Sequence, residues 1–434
     1  SKYTMLRSRF ARENVLRVPS EWAEVEQSDG ARSRGLSKLL LFLLSGTRTA
    51  DGAFNPLASP RSMLNQHVIP LRNPFFQGWL VRVVDQDKGR SFIVVLGAFS
   101  SRQSNEFDEY YIFSAFSDGC RCEQVESFPS PESVAISGGG VVGSDVTGEG
   151  HGQVNTTWSV KGVGTLTFGN TECKGNLRLS GGYHLKYRLK DREFWSERDP
   201  DLGGPEGWLA HLPLLLPCHY FVHTVGSECS YSARVPSLFG RSEETGFGFA
   251  HVEGNHGGAF PEGWVWSQGI AARNAASLSV VGGRFTIGPV TPVTWVVFFR
   301  VGKEKYVFRT TDLDRFKYDV DPVRKRVEIR ATRTLVGTSI PTILDMVIES
   351  DDRFESSSGS CSATCNSKFG IHIHVPTTEG FSNDPGCRET YTARAHMKVS
   401  QRRAGEWVVI HDVVIPLTAL EFGGTFQNIH ILSK

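Results

Sequence analysis

Short runs of alternating apolar and polar residues, each followed by a glycine-containing turn, extend along most of the chain from about residue 74. Because successive side chains on a β-strand point to opposite faces, this two-residue period indicates half-buried strands and not helices. Gly accounts for 45 of the 434 residues. That share is well above the usual one of about 7%, and it shows no collagen-like repeat. The glycines suit tight turns, so the sequence predicts an all-β chain.

The clearest hairpin prediction lies at residues 74–100, where two apolar runs flank the turn sequence DKG. Residues 219–235 are predicted to form another pair of strands. Two further turns are predicted at VGGR (281–284) and VGKEK (301–305). The regular spacing of these short strands is typical of a meander that closes into a barrel.

The chain contains two comparable series of strands, separated near residues 236–246, which predicts two antiparallel β-barrels in tandem. A length of 434 residues also exceeds what one ordinary core supports. We therefore predict an N-terminal, partly helical extension over residues 1–60, a first barrel over 61–240 and a second over 241–434.

Charge, hydropathy and cysteine spacing exclude several classes of function. The net charge of +1 argues against a nucleic-acid partner, which needs a basic face. The apolar segment LSKLLLFLLSG at 36–46 is too short to span a membrane, so it is either a short core helix or a segment that contacts a membrane surface. Cys361, Cys365 and Cys387 lack the CxxC spacing of most zinc sites, so no metal is predicted.

Residues 252–269, VEGNHGGAFPEGWVWSQG, hold the densest set of candidate site residues. On a strand, Trp264, Trp266 and Gln268 share one face, which is either a packed lumen or the wall of a ligand cavity. Two indoles form an electron-rich wall that stabilises a transient carbocation by cation–π attraction, worth about 2 kcal/mol or more in a dry site.

Two carboxyl groups are candidate acids. Glu253, if buried beside the indole wall, keeps its proton and can act as a general acid, which requires a hollow second barrel. The alternative is a carboxylate that caps a turn or pairs with an Arg. Asp118, in FSDG, is a second candidate, and an Asp–Gly turn is its alternative reading.

Five segments, in order along the chain, resemble the tocopherol cyclase family. They are NPFFQGW (73–79), WLAHLP (208–213), EGNHGGAFPEGWVWSQ (253–268), TCNSKFG (364–370) and ALEFGG (419–424). The third segment is the most specific of them. Since the five segments are spread over most of the chain, the resemblance covers both predicted barrels.

The resemblance implies two tandem lipocalin-like barrels, related to other calycin-type proteins, that act on a prenylated hydroquinone. An acid protonates an alkene of the prenyl tail, and the phenolic oxygen attacks the tertiary cation to close a chromanol ring. This is an intramolecular lyase reaction without redox change, so no cofactor, metal or nucleotide is expected. The family's setting implies a plastid (chloroplast) protein associated with thylakoids or plastoglobules.

Matching positions give each candidate residue a role. The resemblance implies Glu253 as the proton donor or its orienter, Asn255 as a partner of the quinol head, and Asp118 as a second acid. The implied substrate-binding residues are Trp264, Trp266, Gln268, Phe75, Phe76, Trp79, His256 and Phe260. Of these, Phe75, Phe76 and Trp79 are expected to line the first barrel.

Three departures from the family pattern leave the activity open. Gln77 stands in place of a Glu, His256 in place of a Trp, and an acid is missing near Ala363. Two alternatives to a cyclase therefore remain. One is a catalytically silent homologue that binds a lipid, quinol or carotenoid pigment. The other is a structural subunit of a plastid membrane complex such as a photosystem.

Overall fold

The first part of the chain forms one antiparallel sheet. A computed structural model describes residues 74–104, 106–137, 155–169, 173–196, 204–207, 217–286, 291–333, 340–350 and 370–433. The strands of this sheet are β1 Phe75–Asp85, β2 Arg90–Ser100, β3 Glu109–Ser117, β4 Cys122–Ser127, β5 Val134–Ser137, β6 Asn155–Val160, β7 Gly164–Gly169, β8 Cys173–Arg178, β9 His184–Lys190, β10 Cys218–Arg234 and β11 Glu244–Gly257. Their order in the sheet is β4-β3-β2-β1-β11-β10-β9-β8-β7-β6-β5.

The second part of the chain forms another antiparallel sheet. Its strands are β12 Gly263–Ile270, β13 Ala276–Arg284, β14 Val293–Val301, β15 Glu304–Arg309, β16 Arg315–Asp321, β17 Arg326–Arg333, β18 Thr342–Ser350, β19 Ile371–Ile373, β20 Cys387–Arg403, β21 Glu406–Gly424 and β22 Ile431–Leu432. Their order is β15-β14-β13-β12-β21-β20-β18-β17-β16-β22, and β19 pairs with β20. The prediction of an all-β fold is confirmed, and two large antiparallel sheets stand where two tandem barrels were predicted.

Helical structure within the described ranges is short. It comprises α1 Pro236–Phe239 and the 3₁₀ turns Pro131–Ser133, Ser180–Gly182, Ala272–Asn274, Thr310–Asp312 and Thr425–Gln427. None of the helices in the described ranges has the length and apolar character needed to cross a bilayer.

Both sheets curl until strands far apart in the order touch. In the first, the rings of Tyr110 (β3) and Trp158 (β6) lie 6.0 Å apart, although seven strands separate β3 from β6 in the sheet order. In the second, Trp295 (β14) and Tyr318 (β16) lie 5.0 Å apart. Neighbouring strands are spaced by about 4.8 Å, so flat sheets would hold these rings tens of ångströms apart. The sheets are therefore barrel-like, although no hydrogen-bonded ladder joins their end strands in the described ranges.

Each barrel-like sheet is filled by its own apolar side chains. The first core includes Trp79, whose indole stacks on Phe168 with ring centroids 4.6 Å apart. The second core includes Trp295 and Phe299. The expectation of a hollow second barrel is therefore wrong: its interior is a packed core.

The outer faces of the two sheets pack against each other. One contact cluster joins Ile93 and Tyr111 of the first sheet to Trp264, Trp266 and Tyr391 of the second. Successive side chains of a strand point to opposite faces of the sheet. Where one residue faces the barrel core, its two neighbours in the strand therefore lie on the outer face. Residues between the sheets are therefore as buried as the two cores.

Two segments that were predicted to contain turns lie within strands. The VGGR segment is not a turn, because Gly282 and Gly283 lie within β13. A Cβ atom on Gly282 would lie 2.4 Å from the Trp295 ring, so glycine here permits a close approach and not a reversal of the chain. Residues 219–235 form almost entirely one strand, β10, with register irregularities between Val222 and Ser227 in place of the expected turn.

The change from the first sheet to the second lies between Gly257 and Gly263. The strand that follows the predicted division at 240/241 is β11, and it pairs with β1 and β10 of the first sheet. Since β11 completes the centre of that sheet, the first structural half of the chain extends further than the sequence pattern indicated. The predicted extension over residues 1–60, including 36–46, lies outside the described residues.

Candidate functional site

A cavity of about 200 Å³ lies between the two sheets. Apolar and aromatic side chains make up most of its wall, and a few polar groups converge on it, as is typical of ligand pockets. The wall residues used below are Gln77, Tyr220, Glu253, Asn255, Phe260, Trp264, Trp266, Phe381 and Glu421.

Glu421, on β21, is a buried carboxyl group in this wall. The indole Nε1 of Trp264 donates a hydrogen bond to its Oε1. Burial raises the pKa of Glu421 to about 7, hydrogen bonds from Trp264 and Cys387 oppose that rise, and the nearby Glu253 carboxylate adds to it. Glu421 therefore holds a proton at mildly acidic pH and can release it near neutrality.

The position of Glu421 is set by the pairing of its strand and by one glycine. Its cross-strand neighbours are Trp266 on β12 and Glu389 on β20. The next outward-facing position on β21 is Gly423, where a Cβ atom would lie 1.9 Å from the Trp264 ring. Because Gly423 has no side chain, the indole can lie over β21 and reach the carboxyl group.

Glu253, on β11, is the second carboxyl group of the cavity, and its side chain is 6% exposed. The hydroxyl of Tyr220 donates a hydrogen bond of 2.6 Å to its Oε2. Nε2 of His251 lies 2.6 Å from the same oxygen. Glu253 is therefore buried, and it borders the same cavity as Trp264 and Trp266.

A further buried polar cluster lies beside the cavity wall. The Arg82 guanidinium reaches from β1 to the second sheet, where it donates hydrogen bonds to Gln268 and to the carbonyl of Leu417. Burial lowers the pKa of Arg82 to about 10. Burial, with the proximity of Glu421, raises the pKa of Glu389 well above its usual value, and Tyr391 donates to Glu389 Oε2 at 2.9 Å. Burial therefore favours the protonated form of Glu389.

The structure brings several predicted substrate-binding residues together. Trp264, Trp266, Phe260 and Asn255 all line the cavity. Gln268 shares the strand face of the two tryptophans, as predicted, but it binds Arg82. The face that these residues share looks toward the first sheet and not into the second barrel.

The aromatic residues expected to line the first barrel separate into different environments. Trp79 lies in the first core and also borders the cavity. Phe76 faces the second sheet and contacts Phe260, with ring centroids 5.1 Å apart. Phe75 lies 6.0 Å from the ring of His256. Alternation explains the division, because neighbouring residues of β1 belong to opposite faces.

His256 and Asp118 contact other protein groups, and neither belongs to the cavity wall. The His256 ring stacks on His219 at 5.2 Å, and burial, together with His219, lowers the pKa of His256 to about 3. Asp118 lies in the turn between β3 and β4, where its carboxylate accepts hydrogen bonds from the backbone of Cys120 and from Arg121. The structure does not bring Asp118 to the cavity wall.

Glu421, Tyr220 and Glu389 were not singled out from the sequence. A signal existed for Glu421, because it is the one charged residue in TALEFGG, an otherwise apolar and glycine-rich strand end. Its significance depends on pairing with strands distant in sequence, which local patterns do not reveal.

Metal ligands were not predicted, and two of the three cysteines weighed for zinc, Cys361 and Cys365, lie outside the described residues, as does Ala363. Cys387 is buried between the sheets. Within the described ranges, no group of three or more His, Cys, Asp or Glu side chains is placed to hold a metal ion.

The chain belongs to the tocopherol cyclase-like family, whose model matches residues 73–424. A crystal structure of CghA aligns with a TM-score of 0.49 and 12% identity, covering 82% of this chain and 90% of that one. Kievitone hydratase from Nectria haematococca aligns with a TM-score of 0.38 and 9% identity, covering 83% of this chain and 92% of that one. A comparison with curated proteins finds no match.

Proposed function

We propose that this protein closes a prenylated hydroquinone to a chromanol by acid catalysis, as an intramolecular lyase. The observation that carries the proposal is Glu421, a carboxyl group in an apolar cavity whose pKa burial raises to about 7. Protonation of an alkene needs an acid that keeps its proton near neutral pH in a dry site. Membership of the tocopherol cyclase-like family supports the same class of reaction.

In the proposed reaction, the Glu421 carboxyl proton adds to the less substituted carbon of the nearest prenyl double bond. A tertiary carbocation forms on the neighbouring carbon, and Glu421 becomes a carboxylate. The Trp264 hydrogen bond then stabilises the new negative charge, because hydrogen bonds to charged groups are stronger than those to neutral ones.

The indole wall suits the cation. Trp264 and Trp266 both border the cavity, and Phe260 packs edge-on against Trp264 with ring centroids 5.1 Å apart. Aromatic faces attract a desolvated cation by about 2 kcal/mol or more. The same apolar wall limits access of water, which would otherwise capture the cation and give a tertiary alcohol.

The polar side of the cavity suits the hydroquinone head. The cavity wall includes Asn255 and Glu253 on β11. It also includes Tyr220, which lies opposite Asn255 on the paired strand β10. They offer donors and acceptors for phenolic oxygens. Orienting the phenol toward the prenyl cation converts ring closure into an intramolecular step with a favourable geometry.

The direct test is incubation of the purified full-length protein with a phytylated hydroquinone under reducing conditions, with chromanol measured by chromatography and mass spectrometry. We expect chromanol only when the protein is present. Binding of the quinol without any product would contradict catalysis and support the alternative of a catalytically silent lipid-binding protein.

Replacing Trp264 by Phe is expected to move the pH dependence of chromanol formation. The Trp264 N–H lowers the pKa of Glu421, so its removal raises that pKa, and the protonated, active form persists to higher pH. We expect the midpoint of the alkaline decline to rise by about one pH unit. Rates measured across pH test this, with Trp195→Phe as a control at a buried tryptophan outside the cavity. An unchanged or lower midpoint contradicts the assignment.

We also propose that the protein works in a plastid, at thylakoids or plastoglobules, because prenylated hydroquinones are lipids that partition into such phases. Fractionation of plastids from the source cells, followed by immunodetection, tests this location. Detection in the soluble stroma alone would contradict it.

A further inference from the structure

We propose that Glu253, held by His251 and Tyr220, is the base that accepts the phenolic proton when the chromanol ring closes. This inference rests on the proposed cyclase function and extends it to the second half of the reaction. It assigns Glu253 the role opposite to the proton donation that the resemblance implied.

The geometry leaves one oxygen of Glu253 for the substrate. Its two hydrogen-bond partners in the described ranges, the Tyr220 hydroxyl and the His251 Nε2, lie 2.6 Å from the same oxygen, Oε2. Oε1 makes no hydrogen bond to any residue in the described ranges, and Glu253 borders the cavity. Two contacts on Oε2 restrain the carboxylate and leave Oε1 to accept a proton from a ligand.

Both supporting side chains are themselves firmly held. His251 is 1% exposed, and it lies opposite Arg82 in the pairing of β11 with β1. The Tyr220 hydroxyl also contacts the hydroxyl of Ser279 in the second sheet at 3.3 Å. Burial, and then the Glu253 charge, raises the pKa of Tyr220 well above its usual value, so this phenol stays a donor to the carboxylate.

The two cavity carboxyl groups differ in a way that suits an acid and a base. Glu421 holds a proton near pH 7, and the charge of Glu253 contributes to that by raising the pKa of Glu421. Glu421 accepts a donor on Oε1, whereas Glu253 has two partners on Oε2. Paired acid and base roles for two carboxyl groups commonly rest on such differences in their surroundings.

The proton and electron count closes with these two residues. The Glu421 proton goes to the alkene carbon, the phenolic oxygen forms the new C–O bond to the cation, and its O–H proton goes to Glu253. The product is an isomer of the substrate. Glu253 then releases a proton to solvent and Glu421 regains one, so no oxidant, reductant or co-reactant is consumed.

The test compares two substrates, a phytylated hydroquinone and its ring-fluorinated analogue, whose phenol is more acidic. In Glu253→Gln, we expect chromanol formation from the parent substrate to fall by roughly 10²–10⁴-fold, the usual contribution of a general base. The fluorinated phenol loses its proton more easily. With the fluorinated substrate, we therefore expect the ratio of the wild-type rate to the Glu253→Gln rate to be at least about tenfold smaller than with the parent substrate. The greater acidity of this phenol partly replaces the missing base.

A second variant keeps the test informative if Glu253→Gln does not fold. Tyr220→Phe removes one hydroxyl, and we expect a loss of roughly tenfold that the fluorinated substrate partly restores. Its matched control is Tyr231→Phe, which removes a similar hydroxyl that donates to Asp85 at 2.8 Å inside the first core. That control should keep the wild-type rate with both substrates.

The outcomes separate this inference from the proposed function. Wild-type protein that forms no chromanol from either substrate overturns both. Wild-type protein that forms chromanol, while the rate ratios of Glu253→Gln and Tyr220→Phe are the same for both substrates, overturns the base assignment and leaves the cyclase intact. A smaller loss of rate with the fluorinated substrate than with the parent substrate, in both variants, supports the base assignment.

Discussion

The Glu421→Gln variant is expected to form chromanol roughly 10²–10⁴-fold more slowly than the wild-type protein, the range that general acids typically contribute. Gln has nearly the same shape and can still accept the hydrogen bond from Trp264, so the cavity should keep its form. It has no acidic proton to give to an alkene. The loss is therefore expected in the chemical step and not in substrate binding.

The pH dependence of the wild-type rate follows from the same residue. The pKa of Glu421 is raised to about 7, so the active, protonated form dominates below that pH and disappears above it. We expect a tenfold fall in rate per pH unit on the alkaline side of this value. The residual rate of Glu421→Gln should not show this decline.

Glu328→Gln is a suitable control for this variant. Glu328 lies on β17, where its carboxylate pairs with Arg326 at 2.8 Å, and it does not border the cavity. The control should keep the wild-type rate and pH profile. A Glu421→Gln protein with undiminished activity would show that the proton comes from another group.

The Arg82→Met variant is expected to lose about 2–6 kcal/mol of unfolding free energy, because each of two buried acceptors left without a donor costs about 1–3 kcal/mol. Arg82 is fully buried, and it donates to the Gln268 side chain and, at 2.6 Å, to the carbonyl of Leu417. Its guanidinium also lies 5.4 Å from the Tyr391 ring. Methionine fills similar space but supplies no donor.

Urea denaturation of the purified protein measures this loss, with Arg324→Met as the matched control. The side chain of Arg324 is 81% exposed and pairs with Asp321 at 3.5 Å, so its replacement should change stability by no more than about 0.5 kcal/mol. Equal stabilities of the two variants would mean that Arg82 does not hold the two sheets together.

Local chemistry made much of the fold predictable. The DKG turn separates β1 from β2 as expected, and VGKEK separates β14 from β15. The shared face of Trp264, Trp266 and Gln268 follows directly from the two-residue period of a strand. Glycine was the least reliable signal, because Gly282 and Gly283 serve the approach of an aromatic ring and not a turn.

The position of the site was not predictable from these patterns. Alternation tells which residues share a face, but it does not tell whether that face looks into a barrel or toward another sheet. The pairing that sets Glu421 beside Trp266 and Glu389 joins strands far apart in the sequence. A sequence-based search therefore identified Glu253 and the two tryptophans but not the acid opposite them.

The protonation state of Glu421 is the central claim, and infrared difference spectroscopy measures it directly. Spectra of the wild-type protein minus Glu421→Gln, recorded across pH, should contain a protonated-carboxyl band that disappears with a midpoint of about 7. That result would place a proton-holding acid in the cavity between the two sheets. A carboxylate band that is already complete at pH 5, about two units below the expected midpoint, would contradict the account.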